Sequence, residues 1–99
     1  MYRSYFHATA YSNLTSIVDN GIKNDYLEQI VYLCETAKDC LKFLWLRGIK
    51  DVLVIEVKLD EKEVFETFDH SQDFFQCKCF GINRTIKQNE FKHLWRYEL

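Results

Sequence analysis

Within its first ten residues the chain sets an imidazole and a hydroxyl two positions apart, His7 and Thr9 in the run Tyr5-Phe6-His7-Ala8-Thr9. Residues i and i+2 of a strand project from one face of the pleat, so these polar groups share a wall that strands usually line with apolar side chains. Such a pair can hold a ligand through hydrogen bonds. A second polar grouping, Asp69-His70-Ser71-Gln72-Asp73, stands between aromatic residues. Read as a loop, it lets a carboxylate and an imidazole converge, with Asp69 or Asp73 supplying charge and His70 a base. The plainer reading of the same residues is a turn capped by Asp69. Tyr32, inside Ile30-Val31-Tyr32-Leu33, reads by itself as a core filler with its hydroxyl at the rim.

These groups must be positioned by a small scaffold. Ninety-nine residues, 47% hydrophobic and 16% aromatic, fill one core, and no Pro-, Gly- or Ser-rich stretch divides them, so residues 1–99 are expected to form a single domain. Thirteen basic residues against fifteen acidic ones create no overall positive field toward nucleic acid or acidic lipid. A local surface of Arg84, Lys87 and Lys92 with Trp95 and Tyr97 is a weak nucleic-acid candidate. Met1-Tyr2-Arg3-Ser4 opens no signal-like segment and no apolar run reaches bilayer length, so the expectation is a cytoplasmic protein without a membrane partner. The four cysteines form no C-x-x-C knuckle and are expected reduced. A zinc site from Cys77 and Cys79 with His70 or His93 has poor spacing, and no metal is expected.

Hydrophobic periodicity then orders the elements. A strand over Arg3–Thr9 leads, through Ser12 as N-cap, into a helix with Leu14, Ile17 and Val18 on one face and Gly21 as its stop. Ile22-Lys23 reads as a short strand, and Gln29–Cys34 as a strand buried on both faces. Thr36 caps a second helix whose stripe is Ala37, Cys40, Leu41, Leu44 and Trp45, ending at Arg47-Gly48. Asp51–Leu59 is a strand rich in β-branched residues, followed by a solvated turn at 60–63. Val64-Phe65 and Phe68 read as edge structure. Phe74–Phe80, Thr85-Ile86 and Phe91–Leu99 supply the remaining strands, the last with Phe91, His93, Trp95, Tyr97 and Leu99 on one side. The fold class is α+β, with two helices on a mixed, mostly antiparallel sheet of about six strands.

In this order the motifs resemble a known family. Aromatic-aromatic-His-x-Thr, Asn13-Leu14 through Ile17 to Gly21-Ile22, Val31-Tyr32-Leu33, Thr36-Ala37-Lys38-Asp39, Val54-Ile55-Glu56-Val57, Phe68-Asp69-His70 and Thr85-Ile86 are together similar to the ADP-ribosyltransferase fold in its smallest form, histidine branch. The resemblance implies an NAD-binding glycosyltransferase. His7 and Thr9 would hold the adenosine ribose, and Tyr32 would stack on nicotinamide. An acidic group would stabilise an oxocarbenium-like transition state. The glutamate expected before Ile86 is absent, so Asp69, then Asp73, take that place, with His70 assisting. Negative charge matters there because a neutral Gln76 stabilises a developing cation only weakly.

The expected function is therefore cleavage of the nicotinamide glycosidic bond and transfer of ADP-ribose to a macromolecular acceptor. The alternative is an inactive module of the same fold that binds or inhibits a protein partner. A 2′-phosphotransferase reading needs an arginine cluster, and Arg3, Arg47, Arg84 and Arg96 are scattered along the chain.

Overall fold

The computed structural model describes residues 1–24, 30–67 and 79–99. The described residues form six strands and two α-helices: β1 (Tyr2–Ala10), α1 (Leu14–Asn20), β2 (Val31–Cys34), α2 (Ala37–Leu46), β3 (Asp51–Asp60), β4 (Val64–Thr67), β5 (Cys79–Ile82) and β6 (Phe91–Glu98). They form one sheet in the order β4-β5-β2-β1-β3-β6, and every strand pair in it is antiparallel. The α+β expectation holds, with no parallel pair among the described strands.

The two helices lie on opposite faces. Alternation along β1 and β3 explains this. Tyr5 of β1 with Leu53, Ile55, Val57 and Leu59 of β3 joins Ile17 of α1, Val31, Leu33 and Ile82 in one buried cluster. Val52 and Val54 point the other way and join Leu44 of α2, with Phe6, Ala8, Leu41 and Tyr97 packed around them. A strand covered on both sides must be apolar at consecutive positions, which is why Val52-Leu53-Val54-Ile55 shows no alternation. These four residues are at most 2% exposed. Full burial of each such side chain contributes roughly 1.5–3 kcal/mol.

Helix α2 starts at Thr36, whose hydroxyl accepts from the Asp39 amide at 3.2 Å, as its sequence position implies. The start of α1 differs from expectation. A 3-10 turn over Tyr11–Asn13 precedes it, and Asn13, not Ser12, is its N-cap residue. Val18 and Trp45 also leave their expected stripes, standing 53% and 64% exposed. Each helix packs on a single sheet face, so residues at the margin of the stripe stay wet. Ile22 and Ile86 make an isolated antiparallel bridge, where short strands were expected. At β6 a bulge opposite Glu56/Val57 puts Phe91 against the α1-side core, whereas His93 pairs with Glu56 on the α2 side. The extra residue separates Phe91 from His93, Trp95 and Tyr97, which keep the one side expected of them.

Gly21 joins α1 to this framework. Its φ of +79° and ψ of −174° lie where essentially only glycine goes, and a Cβ there would stand 2.4 Å from the Ile86 carbonyl oxygen. Gly48, at φ +78°, has nothing within 4 Å of the corresponding position. Urea denaturation should therefore show Gly21→Ala losing about 1–3 kcal/mol or more and Gly48→Ala about 1 kcal/mol. Equal losses would contradict the tight approach at Ile86.

Candidate functional site

The site begins with how weakly β1 and β2 are joined. β1 pairs with β3 over nine consecutive residues, but with β2 only at Phe6↔Cys34. One end of this seam is fastened by the Arg3–Glu35 ion pair at 3.6 Å, with the Arg3 guanidinium over the Tyr5 and Phe80 rings. The Cys40 thiol donates to the Phe6 carbonyl at 3.1 Å, fixing the junction from α2. Toward Thr9 the ladder stops. There a side chain spans the gap, with His7 Nδ1 2.8 Å from the Tyr32 carbonyl oxygen.

That contact dictates the imidazole's chemistry. A carbonyl only accepts, so Nδ1 carries the proton and, in the neutral ring, Nε2 is left as an acceptor. Burial pushes the His7 pKa below its ordinary value, and the carbonyl opposes this in part. At neutral pH His7 is thus a neutral imidazole of defined tautomer. Such a group recognises a hydroxyl or amide hydrogen.

Thr9 shares the His7 face of β1, opposite Leu53, just as His7 stands opposite Ile55. Its Oγ1 accepts from the Asn13 side-chain amide at 2.8 Å, leaving the hydroxyl hydrogen to donate elsewhere. Asn13 is the residue that sequence reasoning missed. A polar amide four positions after Thr9, across the turn that follows the strand, was the available signal. Tyr11, in the same turn, lies under the Arg96 guanidinium at 4.1 Å, and Arg96 is held by a bidentate pair to Asp51 at 2.9 Å.

Tyr32 reaches His7 through its backbone. Val31 and Leu33 occupy the α1-side core, so alternation directs the Tyr32 side chain to the α2 side, where it is 40% exposed. It is not the doubly buried position its apolar neighbours imply. The imidazole and hydroxyl share one face of β1, and the Tyr32 ring flanks the seam from the other face. Asp69, His70 and Asp73 lie outside the described residues, as do Cys77 and Gln76; the segment that carries them departs from Thr67 and returns at Cys79, which is the register partner of Cys34.

Other polar clusters are committed to the scaffold. An open groove of about 670 Å³ near Lys58 includes Arg84, but Glu63 and Glu90 hold that guanidinium at 2.5 and 2.7 Å. The interaction keeps the Glu90 carboxyl below the usual carboxylate range and pins the turns before β4 and β6. Cys34, Cys40 and Cys79 are buried thiols, and burial with thiol neighbours pushes Cys34 well above its ordinary range. Among the described residues, no cluster of three or more His, Cys, Asp or Glu has metal-holding geometry. No described helix is long and apolar enough to cross a membrane.

No family model matches the chain. It is similar to translation initiation factor IF-2 of Ureaplasma parvum serovar 3, 38% identical over 53 residues, a stretch that is 54% of this chain and 9% of that protein.

His7 gives the site a pH signature. Its folded-state pKa lies below the ordinary 6.5, so the unfolded chain takes up the proton first and stability falls as pH drops through the window just below 6.5. Asp51, Glu56, Asp60 and Glu90, all shifted down, act in a separate window below about 4.5. Urea titrations from pH 7.5 to 5 should show a decline that His7→Asn abolishes. An unchanged slope in the variant would contradict a neutral His7.

Proposed function

We propose that the sparsely paired seam between β1 and β2 binds NAD and that the protein is a small ADP-ribosyltransferase-like glycosyltransferase. The observation that supports this most is the seam itself. A central strand pair is paired at one position, and the gap is spanned by a neutral imidazole of set tautomer. A ribose presents vicinal hydroxyls, and Nε2 of His7 with Oγ1 of Thr9 offers one acceptor and one donor at i, i+2 spacing to meet them. Asn13 fixes the threonine rotamer. Tyr32, whose ring lies on the opposite face of the sheet, contributes through its backbone carbonyl, which sets the His7 tautomer. When bound, NAD supplies a glycosidic bond whose nicotinamide leaves readily.

The acidic group is assigned to Asp69, with Asp73 and His70 as partners, on the resemblance described above. Its work is to place negative charge beside the ribose carbon as positive charge grows there, which lowers the barrier without changing ground-state affinity. An acceptor, protein or otherwise, would then take the ADP-ribose. The missing glutamate keeps a second reading in play, a module that binds NAD or a protein without turning it over.

Millimolar NAD should raise the melting temperature of the wild-type protein by mass action, and His7→Ala should diminish the shift. Nicotinamide release, followed by chromatography, should fall at least tenfold in Asp69→Asn with little change in the NAD-induced shift. A shift without release would support the binding module. The absence of any shift at millimolar NAD would remove the proposal.

A further inference from the structure

The sheet ends in two margins of unequal length. Among the described residues β4 forms one with four residues, and β6 forms the other with eight and has no strand on its outer side. Along an antiparallel margin about half of the backbone N–H and C=O groups point away from the sheet, so β6 carries a row of outward donors and acceptors. Its side chains are little covered. Leu94 is 40% exposed, the residues from Lys92 to Arg96 are all exposed, and only Phe91 and Tyr97 are half-buried.

Charges and bulges are the usual protection of such an edge. Here the bulge lies at one end, at Lys92, and Glu98 stands at the other. The two cations of the strand turn back onto their own sheet: Lys92 reaches Glu56 at 3.7 Å, and the Arg96 guanidinium holds Asp51 at 2.9 Å and lies over the Tyr11 ring. Between these ends, from His93 to Tyr97, β6 keeps an unbroken register with β3. His93, Trp95 and Tyr97 stand on the α2 side, opposite Glu56, Val54 and Val52, and Leu94 and Arg96 on the α1 side, opposite Ile55 and Leu53.

We propose that this stretch of β6 pairs antiparallel with the same stretch of a second copy, so that two sheets continue across a two-fold axis. Directly opposite residues of an antiparallel pair share a face, so the axis passes between two identical residues, and charge selects which. Centred on Trp95, five residues overlap, His93 meets the partner's Tyr97, Leu94 meets the partner's Arg96, and no like charges oppose. Centred on Arg96, five residues also overlap, but two guanidiniums stand directly opposite, which is destabilising. Centred on Leu94 or Tyr97, three residues overlap before the bulge or the end of the strand. The Trp95 faces already lie against Phe6 and His93, so backbone hydrogen bonds and charge, not stacking between copies, set this register. The contact is closed, because each copy uses the same strand and the margins left over are the short β4 strands. A five-residue ladder is a small interface, so the dimer is weak. β1 and β3 separate β6 from β2, and the pairing needs no NAD.

Leu94 tests the register, because the Trp95-centred pairing sets it opposite the partner's Arg96 twice. Sedimentation velocity of the wild-type protein between about 5 and about 500 µM, without NAD, should show monomer passing to dimer. Leu94→Lys places a second cation against each Arg96 and should weaken the dimer about tenfold. Leu94→Glu places a carboxylate there and should keep the dimer at least as strong as wild type. Hydrogen exchange of the wild-type protein at the two concentrations reads the same contact without a substitution: amides within 93–97 should gain protection as the dimer forms, and those of β4 should not. A chain that stays monomeric at about 500 µM, a dimer equally strong in Leu94→Lys, equal weakening by the Lys and Glu variants, or protection gained outside β6 would each overturn the proposal. A dimer lost in Trp45→Ala and kept in Leu94→Lys would do so in favour of a contact through α2.

Discussion

The middle of the sheet is joined by one ladder pair, Phe6 with Cys34, and by a side chain, the His7 imidazole on the Tyr32 carbonyl. Everything specific about the candidate site follows from that junction. Backbone carbonyls inside a fold need partners, and an unsatisfied one costs about 1–3 kcal/mol. Where the ladder stops, His7 supplies the hydrogen bond, and in doing so loses its tautomeric freedom. The group that stabilises the seam is thereby a neutral imidazole with an acceptor nitrogen left over.

The remainder of the scaffold makes such a seam tolerable. β3 is buried on both faces, pairs along its length with β1 and with β6, and shares one core with α1 and another with α2. Those contacts hold β1 in place from one side. On the other, β2 is fixed by its four-residue register with β5, while Cys40 of α2 holds the Phe6 carbonyl of β1 at the junction. A sheet secured separately on each side of a seam can leave the seam itself sparsely paired. The β1–β3–β6 half, by contrast, is paired over long registers.

Much of this was legible in the residues. The unbroken apolar run in β3 announced a strand covered twice, Thr36 announced the start of α2, and Gly21 the end of α1. His7 and Thr9 announced a polar face by their spacing alone. Other features depend on long-range geometry that a linear pattern does not carry. The bulge beside Glu56 reversed the facing of Phe91, Asn13 at the N-cap of α1 turns its side chain back to Thr9, and Tyr32 sits at a position whose neighbours alone imply burial. Trp45 continued an apolar stripe in sequence but rolled past the margin of the helix–sheet contact. Asp69, His70 and Asp73 lie outside the described residues, so the part proposed for them rests on the family resemblance alone.

The account depends on a neutral His7 with its proton on Nδ1 and its Nε2 facing the seam. Long-range proton–nitrogen correlation of the imidazole rings at pH 7.5, before and after millimolar NAD, observes both nitrogens at once. Our account predicts the Nδ1–H form in the free protein and a displaced Nε2 resonance with NAD present. A protonated Nε2 in the free protein, or His7 nitrogens indifferent to NAD that perturbs other residues, would contradict it.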